Sequence, residues 1–333
     1  MNVYIKGISV LELSLNNLSS PQVPILSLVI PLYNKEYSIL KCLSSVLAQS
    51  IKPSEIIIVN DGSTDRSKEV VEEIISNDTT GIFKLINQPN GGVSVARNRG
   101  VEESSSLYVA FLDADDEWYP FFIEKALTLI ERYPDADLLT FKHEVCDDNT
   151  GCFVPPQYFG KSEPEGYLDG YFLLAARYNL VNSSKVVVRR SALNRIGGFP
   201  QGGKVTEDLY VWSRLSLNGK FIYSTYLASK VNQVCDSSRI FRVNQIPYII
   251  EFYSENAGLI THDLKLYLRR IFFNHLLGSK LDGNNYEFLL RFKSGYKLFP
   301  LEAILLLPLI FIPKHVFSLL KFFKRSALKS NES

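Results

Sequence analysis

The stretch SLVIPLYNKEYSILKCLSSVLAQSIKPSEIIIVNDGSTDRS, residues 27–67, decides the fold class. It contains two short apolar runs, ILSLVIP (25–31, beginning just before the stretch) and EIIIVN (55–60), separated by an amphipathic segment over 36–49 that reads as a helix. A strand that is apolar throughout, rather than alternating, is buried on both faces. The pattern continues downstream. IFKLIN (82–87) and LYVAFL (107–112) predict two more strands, and helices are expected over 64–77, 92–103 and 119–132. Strands alternating with helices predict an α/β doubly wound sheet. Each unusual polar group falls at a strand end: Asn34 after the first strand, Asp61 after the second, Asp113 and Asp115 after the fourth. Ligands bind at the carboxyl ends of such sheets, so a site is expected along that edge.

The fourth strand ends in VAFLDADDEW (109–118), which gathers Asp113, Asp115, Asp116 and Glu117 within five positions. Two unit charges about 6 Å apart repel by roughly 0.7 kcal/mol in water and about 3 kcal/mol near a protein surface. Either the group splays into solvent or something positive belongs there. No GxGxxG follows the first strand and no GxxxxGK[ST] occurs, which argues against a dinucleotide site and a P-loop. With no glycine-rich phosphate cradle and no evident lysine clamp, a bound diphosphate would need a metal. Mg²⁺ or Mn²⁺ takes one or two carboxylates together with phosphate oxygens, and this cluster supplies carboxylates. Asp116 and Glu117 are expected to serve the N-terminus of the following helix.

The bulk properties set few further bounds. The chain of 333 residues is 46% hydrophobic and 21% charged, enough to bury a substantial core. Its net charge of +1 gives no sign of a nucleic-acid binder. Cys42, Cys146, Cys152 and Cys235 form no CxxC pair and read as reduced thiols of a cytosolic protein. Residues 1–24 read as an extension ahead of the domain rather than a secretory leader, because Glu12 interrupts the apolar patch and no small-residue cleavage site follows. Residues 299–325, FPLEAILLLPLIFIPKHVFSLLKFFKR, are apolar and then basic. The apolar run from Ala303 to Pro313 is shorter than the roughly 20 residues of a spanning helix and carries two prolines. Aromatic and aliphatic residues followed by Lys314, Lys321, Lys324 and Arg325 suit a segment lying in a membrane interface, the alternatives being a re-entrant or short spanning hairpin and a C-terminal helix docked on its own domain.

Four blocks in order, SLVIPLYN, VNDGS, NGGVSVARNRG and FLDADDEW, resemble glycosyltransferase family 2, closely over about 25–135 and more loosely to about 225. The resemblance implies a GT-A fold: a doubly wound mixed sheet with, here, a helical C-terminal extension. It divides the chain into an extension (1–24), a catalytic domain (25–235, with a nucleotide-sugar half over 25–135 and an acceptor half over 136–235), a helical region (236–297) and a membrane-associating tail (298–333). It also implies roles. Asp61 matches the residue that hydrogen-bonds the uracil of a UDP-sugar, while also suiting a helix-entry turn. Pro31, Tyr33 and Asn34 match the P-x-Y-N segment that flanks the nucleoside, with Glu36 beside it, although Asn34 could equally cap a turn. Asp113 and Asp115 match the DxD motif: Asp115 as the ligand of the Mg²⁺ or Mn²⁺ ion, and Asp113 toward ribose or metal. Arg97 matches the arginine of A-R-N-x-G, where it either contacts the donor or ties its helix to the acidic loop. Asn98 and Gly100 read as packing positions.

VTEDLYVWSRL (205–215), after RIGGFP, resembles the family's E-D block, which makes Asp208 the expected catalytic base with Glu207 as its rival. An ordinary aspartate is ionised at pH 7 and can accept the proton of an attacking hydroxyl. Trp212 would stack on an acceptor sugar or pack beneath the site. No QxxRW follows, so transfer of a single sugar is expected rather than processive synthesis. Residues 246–297 read as helices. The whole implies an inverting enzyme at the cytoplasmic face of the membrane, moving a sugar from a UDP-sugar to a lipid-linked saccharide in O-antigen, capsule or exopolysaccharide assembly. The alternative is a non-catalytic nucleotide-sugar-binding or scaffold subunit, which would leave both the DxD and the E-D block unused.

Overall fold

The computed structural model describes residues 25–147, 151–156, 164–203, 205–233, 245–281 and 285–311. The extension over 1–24 and the basic part of the tail lie outside these residues. The first half follows the expected alternation: β1 (Leu26–Leu32), α1 (Ile39–Leu47), β2 (Glu55–Asn60), α2 (Ser67–Ser76), β3 (Phe83–Asn87), α3 (Val93–Glu103), β4 (Tyr108–Phe111), the short β5 (Glu117–Trp118) and α4 (Phe122–Arg132). The strands β3, β2, β1 and β4 pair in that order, all parallel.

The second half changes direction. β6 (Leu138–Asp147) is followed by β7 (Gly151–Phe153), β8 (Glu165–Tyr167), the short helix α5 (Tyr171–Ala175), β9 (Val186–Arg189), α6 (Arg190–Ile196), α7 (Glu207–Ser216) and β10 (Phe221–Asn232). β9 runs antiparallel between β4 and β6, β10 returns parallel to β6, and β5 closes the edge antiparallel to β10. The sheet is therefore mixed. The remaining helices are α8 (Tyr248–Glu255), α9 (His262–Leu281), α10 (Asn285–Tyr296) and α11 (Pro300–Leu306).

Alternate residues of one strand serve opposite faces, as the pleat requires. Leu28, Ile30, Ile56, Ile58 and Ala110 face α1, α2 and α4, whereas Val29, Ile57, Val59, Val109 and Phe111 face α3, α7 and the C-terminal helices. Ile249, Tyr253, Leu268 and Phe272 belong to that second layer, so the helical region is part of the sheet's own core. The packing also moves the start of the tail. Phe299 stacks on Phe272 at 5.6 Å and Ala303 is buried beside it, so the boundary expected at 298 cuts through packed core.

α3 lies close to the sheet for a stated reason. A Cβ at Gly100 would sit 2.3 Å from Val29 Cγ1, so only glycine permits this approach. Asn98 secures the same helix by exchanging two hydrogen bonds with the backbone of Phe199, each 2.8 Å. Both expected packing positions are thereby explained.

Two of the four cysteines depart from the expectation of reduced thiols, and Cys235 lies outside the described residues. The β6–β7 register sets Cys146 directly opposite Cys152, and the two form a disulfide, while Cys42 is free and buried. A separation of six residues carries no framework signature in the sequence; the hairpin register brings the sulfurs together.

Candidate active site

The strand ends hold two polar clusters. In the first, Asp61 is buried at the end of β2. Its Oδ1 accepts hydrogen bonds from Gln88 Nε2 (2.8 Å) and the Gly91 amide (2.9 Å), and its Oδ2 accepts one from the Gly92 amide (2.8 Å). Asp61 thus shapes the NGG turn that opens α3. Gly62 next to it has φ +73°, and a Cβ there would meet the Asn90 amide at 2.9 Å. Asn34, at φ 51°, accepts from the Thr64 amide at 2.8 Å, and its own amide donates to Ser63 Oγ at 3.1 Å. Glu36 Oε2 accepts from the Arg66 amide at the start of α2, at 3.0 Å. Pro31 is half-buried, one residue before the end of β1, and Tyr33 is exposed beside this loop. Asn34, Glu36 and Asp61 therefore all brace loops of the first half.

The second cluster is the acidic loop, and its charge is met from several directions. Lys35 Nζ lies 2.7 Å from Asp115 Oδ2. Arg97, 4% exposed, places Nη2 2.7 Å from Asp113 Oδ1 and Nη1 3.5 Å from Glu207 Oε1. Its guanidinium also lies 5.3 Å from the centre of the Phe199 ring. Asp116 and Glu117 do not serve α4, which begins only at Phe122. Asp116 is buried instead: it accepts from Ser184 Oγ and, at 2.9 Å, from the Asn232 amide. Burial, together with the charges of Asp115 and Asp113, pushes its carboxyl well above the usual range. Glu117 pairs with Lys230 at 3.6 Å across β5 and β10. The repulsion anticipated for this cluster is thus already relieved by three cations, Lys35, Arg97 and Lys230, and by a carboxyl shifted toward its neutral form.

Arg97 joins the acidic loop to α7. The residue before that helix, Thr206, is left-handed at φ 64°, an unfavourable setting for a β-branched residue. Among the described residues, the non-glycine positions with positive φ are Asn34 and Thr206, and both border this site. Glu207 is buried against Arg97, so it anchors the guanidinium rather than standing open to an acceptor. Asp208 is half-buried and lines a cavity of about 390 Å³ together with Tyr171, Asn182 and Tyr267. Its Oδ1 accepts from the Leu209 amide at 2.8 Å. Burial first, then the neighbouring Glu207, raise its carboxyl to about 6 rather than the ordinary value expected from sequence. Trp212 has 0% exposure and meets Phe199 edge-on at 5.9 Å, so it packs beneath the site and cannot stack on a sugar.

The structure brings Arg97, Asp113, Asp115, Glu207 and Asp208 into one constellation, with Asp61, Asn34 and Glu36 in the adjoining loops. Sequence reasoning missed Lys35, Ser184 and Asn232. Lys35 carried a signal, since it directly follows P-x-Y-N at a strand end. Ser184 and Asn232 carried none, lying 68 and 116 residues from Asp116. The donor set suits a hard divalent cation. Arg97 engages Oδ1 of Asp113 and Lys35 engages Oδ2 of Asp115, leaving oxygen ligands of the kind Mg²⁺ or Mn²⁺ prefers.

Comparison with known proteins agrees with this geometry. Residues 27–196 match the family model described as glycosyl transferase family 2. The uncharacterized glycosyltransferase YibD of Escherichia coli is 42% identical over 126 residues, covering 38% of this chain and 36% of that protein. The uncharacterized glycosyltransferase EpsJ of Bacillus subtilis is 42% identical over 137 residues, covering 40% of this chain and 38% of that protein. The chain thus spans well under two thirds of the length of these relatives. Among solved structures, S. aureus TarS 1–349 in complex with UDP-GlcNAc is similar with a TM-score of 0.66 at 21% identity, over 84% of this chain and 82% of that one. That likeness is one of fold, and the fold is GT-A.

Proposed function

The chain belongs to glycosyl transferase family 2, and we propose that it moves one sugar, with inversion, from a UDP-sugar to a hydroxyl of a saccharide acceptor in surface polysaccharide biosynthesis. The observation that carries this reading is the Arg97 bridge, which holds Asp113 of the DxD loop and Glu207 of the E-D helix on one guanidinium. Donor and acceptor chemistry need to meet within a few ångströms, and Arg97 spans their two loops. In this reading Asp61 and the Pro31–Asn34 loop receive the nucleoside, with Tyr33 as its exposed aromatic. Asp113 and Asp115 would hold a Mg²⁺ or Mn²⁺ ion, which when bound offsets negative charge on the diphosphate.

The reaction is a single displacement. The acceptor oxygen bonds to the anomeric carbon as the bond to the diphosphate oxygen breaks, and the electron pair leaves on UDP. The acceptor hydroxyl gives its proton to the Asp208 carboxylate. Asp208 suits this step because its pKa of about 6 leaves it largely ionised at neutral pH yet more basic than a free aspartate. Arg97 keeps Glu207 from adding a second uncompensated charge beside it.

A lipid-linked acceptor and a place at the cytoplasmic membrane face belong to the same proposal. Leu301, Leu305 and Phe311 stand 73%, 77% and 85% exposed at the end of the described chain, just ahead of the basic part of the tail. Among the described residues no helix is long and apolar enough to cross a membrane, so the proposed attachment is by surface contact. Replacing Leu301 and Leu305 by glutamine is expected to reduce sedimentation with anionic vesicles; unchanged sedimentation would refute attachment through this face.

The donor reading is tested by thermal shift with UDP-, GDP- and dTDP-sugars, each with Mn²⁺ and with EDTA. A ligand at about 100 times its dissociation constant adds roughly 2.7 kcal/mol of stability. A metal-dependent shift with one UDP-sugar is expected. A flat response to every nucleotide sugar would instead favour a scaffold subunit.

A further inference from the structure

The cavity beside Asp208 has more cationic character than a neutral sugar requires. Arg177, just after α5, and Arg270, on α9, both line it, and Asp208 is the sole acid among its lining residues. Among the described residues neither guanidinium has an ion pair or a side-chain hydrogen bond, whereas Arg269, one position earlier on α9, pairs with Glu302 at 3.7 Å. The geometry points to a subsite in which Arg177 and Arg270 take an oxyanion, phosphate or carboxylate, carried by the acceptor saccharide. This rests on the reading of Asp208 as the group that meets the acceptor hydroxyl.

Three features support it. The wall bearing Arg177 is braced from behind: Thr140 Oγ1 donates to the Leu180 carbonyl at 2.6 Å, and the buried Lys185 donates to the Asn179 carbonyl at 2.8 Å. The Oδ1 atom of Asn182, a residue that also lines the cavity, is buried and, among the described residues, without a hydrogen-bond partner, which leaves one polar valence unmet at this wall. Tyr171 and Tyr267, with ring centres 6.1 Å apart, supply an apolar wall of the kind sugar rings pack against. An unmet amide oxygen, an aromatic wall and two guanidiniums without an ion pair among the described residues together match an anionic saccharide. A guanidinium presents N–H groups in a fork that fits a carboxylate or phosphate, and such charge-assisted pairs are the stronger hydrogen bonds.

The test is calorimetric titration of the full chain and of R177Q/R270Q. The probes are glucose, galactose and N-acetylglucosamine, each as 1-phosphate and as methyl glycoside, with glucuronate, galacturonate, inorganic phosphate and phosphatidylglycerol vesicles, and with UDP and the UDP-sugars as donor probes. Wild-type protein is expected to bind at least one anionic sugar about tenfold or more tighter than its neutral counterpart, as one or two charge-assisted pairs would give. The double variant should lose that preference and keep its affinity for UDP. Preference for 1-phosphates over uronates, or the reverse, identifies the anion. The subsite is overturned if no anionic sugar is preferred, if the preference survives in R177Q/R270Q, or if the arginines serve only inorganic phosphate or vesicles. Loss of UDP binding in the double variant also overturns it, by assigning the arginines to the donor. Wild-type protein that binds anionic sugars but no UDP-sugar would refute the transferase reading and leave the subsite standing.

Discussion

In the half that runs from β1 to α4, most polar groups at the strand ends are met by partners from that same half: Asp61 by the 88–92 turn, Asn34 by Thr64, Glu36 by the start of α2. Around Asp208 the surroundings come from elements far apart in the chain, with α5, the segment before β9, α7 and α9 all contributing to one cavity. The first arrangement makes a rigid floor from short-range hydrogen bonds. The second makes a pocket whose shape depends on how distant elements dock. Under the proposed transfer the nucleotide is a constant ligand and acceptors differ, so a locally braced donor side and a composite acceptor side would divide those demands between the halves. Arg97 is where the two meet.

The comparison predicts which changes abolish chemistry and which loosen structure. The largest effect is expected for Asp208→Asn, which keeps the shape of the cavity and removes the proposed base. Transfer should fall by about 10²- to 10⁴-fold while UDP binding and melting temperature hold. In the wild type, kcat/KM should be flat above about pH 7, fall to half near pH 6 and decline tenfold per pH unit well below it, because the proposed base must be ionised and its pKa is raised to about 6. Near-normal turnover by Asp208→Asn would place the base elsewhere.

Arg97→Met should damage both halves at once. It leaves Asp113 and the buried Glu207 without their shared partner, and breaking a buried ion pair from one side costs about 3–5 kcal/mol. Chemical denaturation should record that loss; a variant as stable as wild type would mean the bridge is not what couples the halves. Gly100→Ala should destabilise by about 1–3 kcal/mol, the usual penalty of overpacking, because its Cβ would meet Val29 at 2.3 Å. The smallest effect expected is at Lys35. Its ammonium competes with a divalent ion for Asp115, and a partly exposed pair is worth at most about 1 kcal/mol. Lys35→Met should therefore tighten Mn²⁺ binding by up to about fivefold, measured by titration. Weaker binding would make Lys35 a helper of the cation rather than its rival.

Much of the donor side is legible in the amino-acid string. The four parallel strands and their helices follow from apolar periodicity, and DGS, NGG and DAD mark the turns that carry the site. The acidic loop is legible only halfway. Its need for positive charge is plain, yet Lys35, Arg97, Lys230 and the shifted Asp116 supply much of the relief expected from a metal and a helix end. Trp212 is a case the sequence leaves open: an aromatic beside E-D suits a sugar platform or a packing position, and only its burial against Phe199 assigns it to the core.

By itself the sequence determined the α/β class, the family, the order of the first four strands and helices, and the identity of the charged groups at the strand ends. These depend on hydrophobic period and on turns a few residues long, which a linear string records directly. Only the tertiary structure decided that β9 enters the sheet antiparallel, that Cys146 faces Cys152, that one arginine holds both acidic motifs, and that Arg177 and Arg270 reach the cavity of Asp208. Those outcomes follow from strand register and from the docking of elements tens of residues apart, where burial and long-range pairing outweigh any local preference.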